Sequence, residues 1–292
     1  MRLKDKVAIV TGAGAGIGEA IAHKFAREGA RLVLNGLPAD PVADVAAAIA
    51  ATGSEVEVYL GDVSEESAAR ACVELAVRRF GRLDVLVNNA GIFVAMVETD
   101  GYRIEDFDRT LRNNLRTAFL MTKYALPHLQ KTRGNILCTG SEAGFNGSPG
   151  CTPYGGTKGF LHAFVKGLAV EQAHYGVRAN CVCPGAIDTA WTRAGFGPMD
   201  EALANSIEDG IPLGRRGTPE EMANIFAFLA SDEASYVTGA LLLADGAVTP
   251  AKGNMGQNVP AEIRRPPQGV LPLRHSHDGA KGKELYHPSR KE

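Results

Sequence analysis

The sequence lacks a long hydrophobic run, a strong net charge and a paired cysteine motif. Its 292 residues include 31 basic and 33 acidic side chains, which leave a formal net charge of -2. This balance gives no basis for nucleic acid or an anionic membrane as the main partner. No apolar stretch approaches the roughly 20 residues of a membrane span, and the first residues lack the apolar core of a signal peptide. These absences predict a cytoplasmic protein with neither a membrane nor a nucleic-acid partner.

The cysteines form no recognisable disulfide or ligand pattern. An odd number without CxxC spacing indicates neither a disulfide framework nor a zinc site. Cys181 and Cys183 alternate in a strand-like run, where small buried hydrophobic residues are expected. His275 and His277 lie in a Pro-rich segment, where solvated histidines are the simpler interpretation. The sequence therefore predicts no metal site and five structural cysteines: Cys72, Cys138, Cys151, Cys181 and Cys183.

Apolar strand-like runs alternate with longer amphipathic segments along most of the chain. The runs occupy residues 6–12, 30–36, 55–63, 83–91, 134–141, 177–185 and 240–246, and helical patterns occupy 16–29, 64–80, 104–130, 153–175 and 219–231. This alternation predicts a parallel sheet with helices on both faces, because each crossover between parallel strands has to cover one face. We expect an α/β fold, a single doubly wound Rossmann-like domain over residues 1–249 with about seven strands.

Residues 250–292 have a different composition. They contain six of the fifteen prolines, and eight basic against four acidic residues give the segment a charge of +4. A Pro-rich, charged and weakly apolar segment cannot build a core of its own. We expect an irregular C-terminal extension that is disordered or lies against the domain or a neighbouring subunit.

A glycine-rich stretch, TGAGAGIG at 11–18, directly follows the first strand pattern and opens the first helical one. Gly12, Gly16 and Gly18 permit a tight turn, a close approach to a pyrophosphate and close packing of helix on sheet. Free N–H groups at the start of a helix then face the phosphates. Such loops are weak evidence alone, but this placement between strand and helix favours a dinucleotide site.

Two further residues suggest acid–base chemistry. Tyr154 and Lys158 are four residues apart, so on a helix they share a face, and a neighbouring ammonium favours the phenolate form of a tyrosine. Thr152 is a candidate helix cap and Pro153 a candidate first-turn residue, which would place the tyrosine near the positive end of the helix dipole. Ser141 ends a strand pattern at the sheet edge where ligands bind in open parallel sheets.

These motifs occur in order with NNAG at 88–91, YGGTK at 154–158 and PGAIDT at 184–189. Together they closely resemble the short-chain dehydrogenase/reductase (SDR) family over about residues 3–249. The resemblance implies reversible hydride transfer between a nicotinamide cofactor and a secondary alcohol or ketone. It also implies that Tyr154 moves the hydroxyl proton, that Ser141 orients the substrate oxygen, and that Lys158 supports the tyrosine and bonds the nicotinamide ribose.

The resemblance also assigns a fourth catalytic residue and the cofactor contacts. Asn114 matches a helix-borne asparagine that holds a water beside the lysine, although Asn113 is adjacent. Asn88 is expected mainly to steady the central sheet beside the cofactor channel. The expected cofactor-binding residues are Gly12, Ala15, Gly16, Ile17, Gly18, Asn35, Gly36, Leu37, Asp62, Val63, Asn89, Ala90, Gly91, Tyr154, Lys158, Pro184, Gly185, Ile187 and Thr189.

The end of the second strand carries no residue that decides the cofactor. In relatives that prefer NAD an Asp holds the adenosine ribose, and Gly36 occupies that position here. In relatives that prefer NADP a cation follows that position or lies in the glycine loop, and Leu37 and Ala15 stand there. Asn35 could bond a neutral ribose, and Asp40 would disfavour a phosphate if it folded back. The missing cations favour NAD over NADP, because a 2′-phosphate needs cationic or multiple donors.

Substrate contacts are expected from the loops after the fourth, fifth and sixth strands. The resemblance points to Ile92, Phe93 and 142–146, where Glu142 could contact polyol hydroxyls, and to a lid at 190–210 that includes Trp191, Phe196 and Met199. It also implies a homotetramer or homodimer built through the helices at 104–130 and 153–175. One alternative is an NADP-dependent 3-oxoacyl thioester reductase. Another, of a different class, is a non-catalytic nucleotide-sensing or scaffold protein.

Overall fold

The computed structural model describes residues 1–189, 201–251 and 260, with no side chains described for 201–204. Seven parallel strands form one sheet in the order β3-β2-β1-β4-β5-β6-β7. Their bounds are β1 Val7–Thr11, β2 Arg31–Gly36, β3 Val56–Leu60, β4 Val85–Asn88, β5 Asn135–Thr139, β6 Arg178–Pro184 and β7 Leu241–Ala244. The predicted doubly wound sheet of about seven strands is confirmed.

Helices cover both faces of the sheet. Their bounds are α1 Gly16–Arg27, α2 Val42–Ala50, α3 Glu66–Phe80, α4 Ile104–Leu111, α5 Thr117–Thr132, α6 Thr152–Gln172, α7 Glu201–Asp209 and α8 Pro219–Ala230. One apolar core joins α1, α2 and α8 to the sheet, and a second joins α3, α5 and α6 to its other face. Alternate residues of β1 enter opposite cores, since successive side chains of a strand point to opposite faces. No helix among the described residues is long and apolar enough to cross a membrane.

The strand order reverses at β1, which lies between β2 and β4. From β1 the chain first moves outward through β2 and β3, then returns to build the other half of the sheet. The two crossovers diverge at this point and leave a crevice beyond the carboxyl ends of β1 and β4, which is the usual ligand site of such folds. The fold therefore places the glycine loop after β1 and the NNAG segment after β4 at one edge.

The local structure differs from the sequence-based expectations in three places. Helix α2 was not predicted; its alanine-rich sequence VADVAAAIA packs on the sheet through Val42, Val45 and Ile49. The single helix expected at 104–130 is interrupted by a π-helical turn at Arg112–Arg116. Helix α6 begins at Thr152, the residue predicted to cap it, so Cys151 occupies the cap position, and Cys151 makes no side-chain cap.

Candidate active site

An open cleft of about 1390 Å³, counting the solvent at its mouth, lies beyond the carboxyl ends of β1, β4 and β5. Three of the four predicted catalytic residues, Ser141, Tyr154 and Lys158, line it. Every predicted cofactor residue also lines it: Gly12, Ala15, Gly16, Ile17, Gly18, Asn35, Gly36, Leu37, Asp62, Val63, Asn89, Ala90, Gly91, Tyr154, Lys158, Pro184, Gly185, Ile187 and Thr189. Asn113 reaches the cleft wall, whereas Asn114 lies behind it.

The glycine loop closes one end of the cleft. Gly16 has a φ of +57°, a left-handed conformation that most residues avoid, and it is the first residue of α1. A Cβ on Gly18 would lie 2.0 Å from the carbonyl oxygen of Gly12, so no side chain fits between helix and loop. This close packing leaves the N–H groups of the first turn of α1 facing the cleft, where a pyrophosphate would bind. The residues present therefore fit a dinucleotide.

Asn89 links the ends of three strands at the base of the cleft. Its Nδ2 donates to the carbonyl oxygens of Thr11 (3.1 Å) and Gly12 (3.3 Å), and its Oδ1 accepts from Thr139 Oγ1 (3.0 Å). The Thr11 hydroxyl in turn accepts from the backbone N–H of Asn89 at 3.0 Å. Asn88, expected to steady the sheet, donates to Thr122 Oγ1 on α5 and to Cys138 Sγ on β5. Asn89 thus ties the strand ends together beside the cofactor channel.

Tyr154 and Ser141 meet on the floor of the cleft. Ser141 follows β5 and caps a 3-10 turn, where its Oγ accepts from the N–H of Ala143 at 3.1 Å. Burial raises the pKa of Tyr154, and a hydrogen bond with Ser141 partly offsets that rise. The ring of Phe93 meets the tyrosine ring edge to face, with centroids 5.2 Å apart. The phenol is therefore held on two sides and is protonated at neutral pH.

Lys158 is a buried cation that contacts both the sheet and the tyrosine. Its Nζ donates to the carbonyl oxygen of Thr139 at 2.8 Å and lies 5.4 Å from the centroid of the Tyr154 ring. Burial lowers the pKa of Lys158 to about 8. Tyr154 and Lys158 lie on the same face of α6, as their spacing predicts. The hydrogen bond to Thr139 fixes the lysine ammonium at the end of β5.

Asn114 lies in the π-helical turn, where the helix widens by one residue. Its side chain pairs with both backbone groups of Ile92: Oδ1 accepts from the N–H at 2.7 Å and Nδ2 donates to the carbonyl at 2.9 Å. Nδ2 also donates to Thr157 Oγ1 on α6 at 3.0 Å. Single π turns inside α-helices occur frequently at functional sites. Here the turn brings the loop after β4 and helix α6 together beside Lys158.

The opposite end of the cleft is shaped by the turn after β2. Asp40 folds back, and its Oδ2 accepts from the backbone N–H of Leu37 at 2.7 Å. The carboxylate oxygen lies 3.0 Å from where a Cβ on Gly36 would stand. Asn35, which was expected to bond a ribose, donates its Nδ2 to the carbonyl oxygens of Tyr59 (3.1 Å) and Gly61 (3.0 Å). Its amide nitrogen is thus already used in joining β2 to β3.

Asp62 lines the end of the cleft where the adenosine is expected to bind (the adenosine end), and it has its own partners. Its Oδ1 accepts from the N–H of Ser64 at 2.9 Å, and its Oδ2 pairs with Arg112 at 2.7 Å. Arg112 also pairs with Glu65 at 2.7 Å. This arginine comes from the π-helical turn, so the same irregular segment reaches both ends of the cleft.

The predicted substrate residues are only partly brought together. Ile92 lines the cleft and Phe93 packs on Tyr154. Glu142 does not line the cleft of the described residues; its Oε2 is buried without a hydrogen-bond partner, and burial together with Asp245 raises its pKa to about 7. The expected lid residues lie outside the described part of the chain: Trp191, Phe196 and Met199. The same holds for the predicted extension, of which only residues 250, 251 and 260 are described.

Comparison with known proteins adds a decisive observation. A family model described as "Enoyl-(Acyl carrier protein) reductase" matches residues 12–249, which is most of the chain. L-fucose dehydrogenase of Bos taurus is 38% identical over 277 residues, which cover 91% of this chain and 98% of that protein. The chain belongs to the short-chain dehydrogenase/reductase family.

Solved SDR structures show the same fold with bound cofactors. 3-Ketoacyl-(acyl-carrier-protein) reductase from Brucella melitensis, complexed with NADH, superposes with a TM-score of 0.79 at 33% identity, over 85% of this chain and 99% of that one. A short-chain dehydrogenase from Burkholderia cenocepacia J2315 in complex with NADP gives 0.78 at 32% identity, over 84% and 98%. Both nicotinamide cofactors thus occur among SDR neighbours of this chain.

Sequence reasoning missed three threonines that hold the other residues of this SDR site in place. The carbonyl oxygen of Thr139 accepts a hydrogen bond from Lys158, and the Thr139 hydroxyl donates one to the Oδ1 of Asn89. Thr11 accepts from Asn89 through both its hydroxyl and its carbonyl, and Thr157 accepts from Asn114 through its hydroxyl. A threonine at a strand end or on a helix carries no distinctive spacing, so its role became visible only once these elements were assembled.

Proposed function

We propose that the protein is an NAD-preferring dehydrogenase/reductase that transfers a hydride between a nicotinamide dinucleotide and a secondary alcohol or ketone. The observation that carries the proposal is the half-buried Tyr154, hydrogen-bonded to Ser141 and flanked by the ammonium of Lys158 on the floor of the cleft. A protein that only bound nucleotide would have no need for this proton-handling set, which argues against the sensing or scaffold alternative.

Each residue of the set has a task that follows from its position. Protonated Tyr154 donates its proton to a carbonyl oxygen during reduction and is left as a phenolate. In the oxidation direction the phenolate, which the Lys158 ammonium favours, takes the hydroxyl proton and becomes the phenol again. Ser141 bonds the same oxygen and orients it, while Lys158 supplies positive charge beside the ring. Asn114 fixes the loop after β4 against α6 and so positions the lysine. The nicotinamide, when bound, donates or accepts the hydride.

The charges along the cleft support NAD. Among the described lining residues the charged ones are Asp40, Asp62 and Lys158, and the single cation lies at the catalytic end. Arg112 is near the adenosine end but is already paired with Asp62 and Glu65. A 2′-phosphate carries close to two negative charges and would meet the Asp40 carboxylate without a free cation. The 2′-hydroxyl of NAD would instead find a hydrogen-bond acceptor in the Asp40 carboxylate.

A sugar is the substrate class that we favour among secondary alcohols. The match to L-fucose dehydrogenase covers 91% of the chain, about 266 of 292 residues, and so reaches beyond residue 249. The segment that follows the dehydrogenase domain is therefore partly shared with a sugar-oxidising relative. A second candidate is reduction of a 3-oxoacyl thioester, which the Brucella neighbour favours, although that structure holds NADH rather than NADPH.

One panel of substrates tests these choices. Purified protein is mixed with L-fucose, other aldoses, cyclic secondary alcohols and steroid alcohols, each with NAD⁺ or NADP⁺, and the absorbance of reduced nicotinamide is followed. A 3-oxoacyl thioester is tested in the reverse direction with NADH and NADPH. We expect turnover of a sugar with NAD⁺. Turnover of the thioester alone, or only with NADPH, would favour the second candidate, and binding of cofactor without any turnover would support the sensor.

We also propose a cytoplasmic homo-oligomer, a dimer or tetramer, assembled through α5 and α6. Phe119 on α5 and Phe160 on α6 are 49% and 37% exposed, and Val170 on α6 is 82% exposed. Apolar side chains grouped on neighbouring helices are typical of an association surface. Light scattering gives the molar mass of the parent and of Phe160→Glu in solution. Tyr236→Ser, which changes an exposed aromatic residue elsewhere, is the control. A parent that is monomeric, or a Phe160→Glu variant of unchanged mass, would contradict it.

A further inference from the structure

Beneath the end of β5, three possible metal ligands from two elements converge. His162 lies one helical turn after Lys158 on α6, while Cys181 and Cys183 lie on the same face of β6. All three side chains are buried, with 5%, 0% and 0% of their surfaces exposed. The imidazole Nε2 and the two Sγ atoms lie within 4.8 Å of one another.

The distances between these atoms resemble those between ligands of one ion. The two Sγ atoms are 3.8 Å apart, and Cys183 Sγ lies 3.3 Å from His162 Nε2. Tetrahedral zinc, with Zn–S near 2.3 Å and Zn–N near 2.0 Å, places two sulfurs about 3.8 Å apart and a sulfur and a nitrogen about 3.5 Å apart. A disulfide would need about 2.05 Å between the sulfurs. The cluster is therefore spaced for a shared ion.

The three atoms also surround one point. A Cβ built on Gly140 would lie 2.7 Å from Cys181 Sγ, 2.8 Å from His162 Nε2 and 2.9 Å from Cys183 Sγ. Glycine at this position keeps the point free of any side chain. The ring of Phe145 lies against the imidazole of His162 with centroids 4.4 Å apart and covers it from the loop after β5. Three donors thus face a small space that the chain leaves open.

We propose that His162, Cys181 and Cys183 bind one thiophilic metal ion, with Zn²⁺ the ion that this donor set fits. Two sulfurs and one imidazole are borderline-soft ligands of the kind that select zinc or Cu⁺ over Mg²⁺ or Ca²⁺. On binding, each thiol releases its proton to solvent and the imidazole binds through its neutral nitrogen. None of the three side chains lines the cofactor cleft, so the ion would clamp α6 to β6 and take no part in hydride transfer.

The first measurement is metal content. Full-length protein is reduced, stripped with a chelator, incubated with ZnCl₂, desalted and analysed by elemental mass spectrometry, with a parallel sample loaded with Cu⁺. We expect about one Zn²⁺ per chain and, because the ligands hold the fold together, a higher midpoint of thermal unfolding with zinc than with chelator. Retention of Cu⁺ with no zinc would support the ligand set but overturn the choice of ion. Retention of neither would overturn the site.

Matched variants separate coordination from packing. Cys183→Ser and His162→Asn should reduce bound zinc to about a tenth of an equivalent or less and abolish the zinc-dependent thermal shift. Cys72→Ser removes an equally buried thiol on α3 and should keep full zinc content. Zinc content that is unchanged in Cys183→Ser would contradict the proposal.

A spectroscopic readout covers the case in which the variants fold poorly. Co²⁺ added to the stripped parent should give the sulfur-to-cobalt charge-transfer bands and intense visible bands of a tetrahedral thiolate site, and Zn²⁺ should remove them. Weak bands of hexa-aquo cobalt alone would overturn the site without reference to any variant.

Discussion

The two ends of the cofactor cleft are built differently. At the catalytic end, Lys158 and Asn114 are buried, and each is held by hydrogen bonds to backbone groups of neighbouring elements. At the adenosine end, Leu37 is 45% exposed and the turn is shaped by one carboxylate, Asp40, bonded to a backbone N–H. A position held by several elements tolerates little change, whereas an exposed turn can change its charge at small cost to the fold. The chemistry and the choice of cofactor are thus separable.

The largest expected effect is at Tyr154. Tyr154→Phe removes the phenol that moves the proton while keeping the ring that packs against Phe93, and kcat should fall by about 10²–10⁴-fold. Dissociation constants for NAD⁺ and NADH, measured by fluorescence, should change little. A variant as active as the parent would contradict the proposed mechanism, and loss of cofactor binding would show that the hydroxyl supports the cleft itself.

The second effect tests how rigid the catalytic end is. Asn114→Ala leaves the N–H and the carbonyl of Ile92 without their partner and removes the hydrogen bond that the Thr157 hydroxyl accepts. Unpaired buried groups cost about 2–3 kcal/mol, which denaturant unfolding should detect together with reduced kcat. Asn113→Ala is the matched control for stability, because the Asn113 amide is half-buried at the cleft wall and donates to the carbonyl oxygen of Arg109 within the same helical segment. Equal destabilisation by both changes would contradict the assignment.

The adenosine end should accept a change of charge. Leu37→Arg places a cation beside the turn and should tighten NADP⁺ binding about tenfold with little effect on the melting temperature. Asp40→Asn keeps an oxygen for the backbone N–H of Leu37 but removes the negative charge, so it should act in the same direction more weakly. If the parent already binds NADP⁺ more tightly than NAD⁺, the proposed preference is wrong.

The smallest effect concerns Glu142 and the pH dependence of stability. Burial and Asp245 raise the pKa of this carboxyl to about 7, above its usual value of about 4.3. Because folding raises the pKa, the protonated form suits the folded state, and stability falls as the pH rises from about 4.3 through about 7. In the parent, the free energy of unfolding should fall by about 1 kcal/mol more between pH 5 and pH 8 than it does in Glu142→Gln, which has no carboxyl to ionise. Denaturant unfolding at the two pH values measures this difference. An identical pH profile for parent and variant would show that the carboxyl is not perturbed.

Much of the site was predictable because its signals are local. Tyr154 and Lys158 share a helix face through their spacing, and Ser141 ends a strand, so three of the proposed catalytic positions follow from short-range pattern. The helix that carries Asn114 was predicted as regular, because its amphipathic pattern does not reveal the π turn at Arg112–Arg116. Helix α2 was missed although its alanines are strong helix formers and Pro41 stands directly before its first residue, where a proline does not disturb a helix.

The sequence by itself determined the alternation of strands and helices, the glycine loop and the acid–base pair, because propensity and spacing act between residues close in the chain. Only the tertiary structure decided which long-range partners each side chain finds. It turned Asp40 back over β2, used the amide of Asn35 to join β2 to β3, and brought His162 against Cys181 and Cys183. These contacts depend on how strands and helices pack, and no short-range pattern in the chain encodes them.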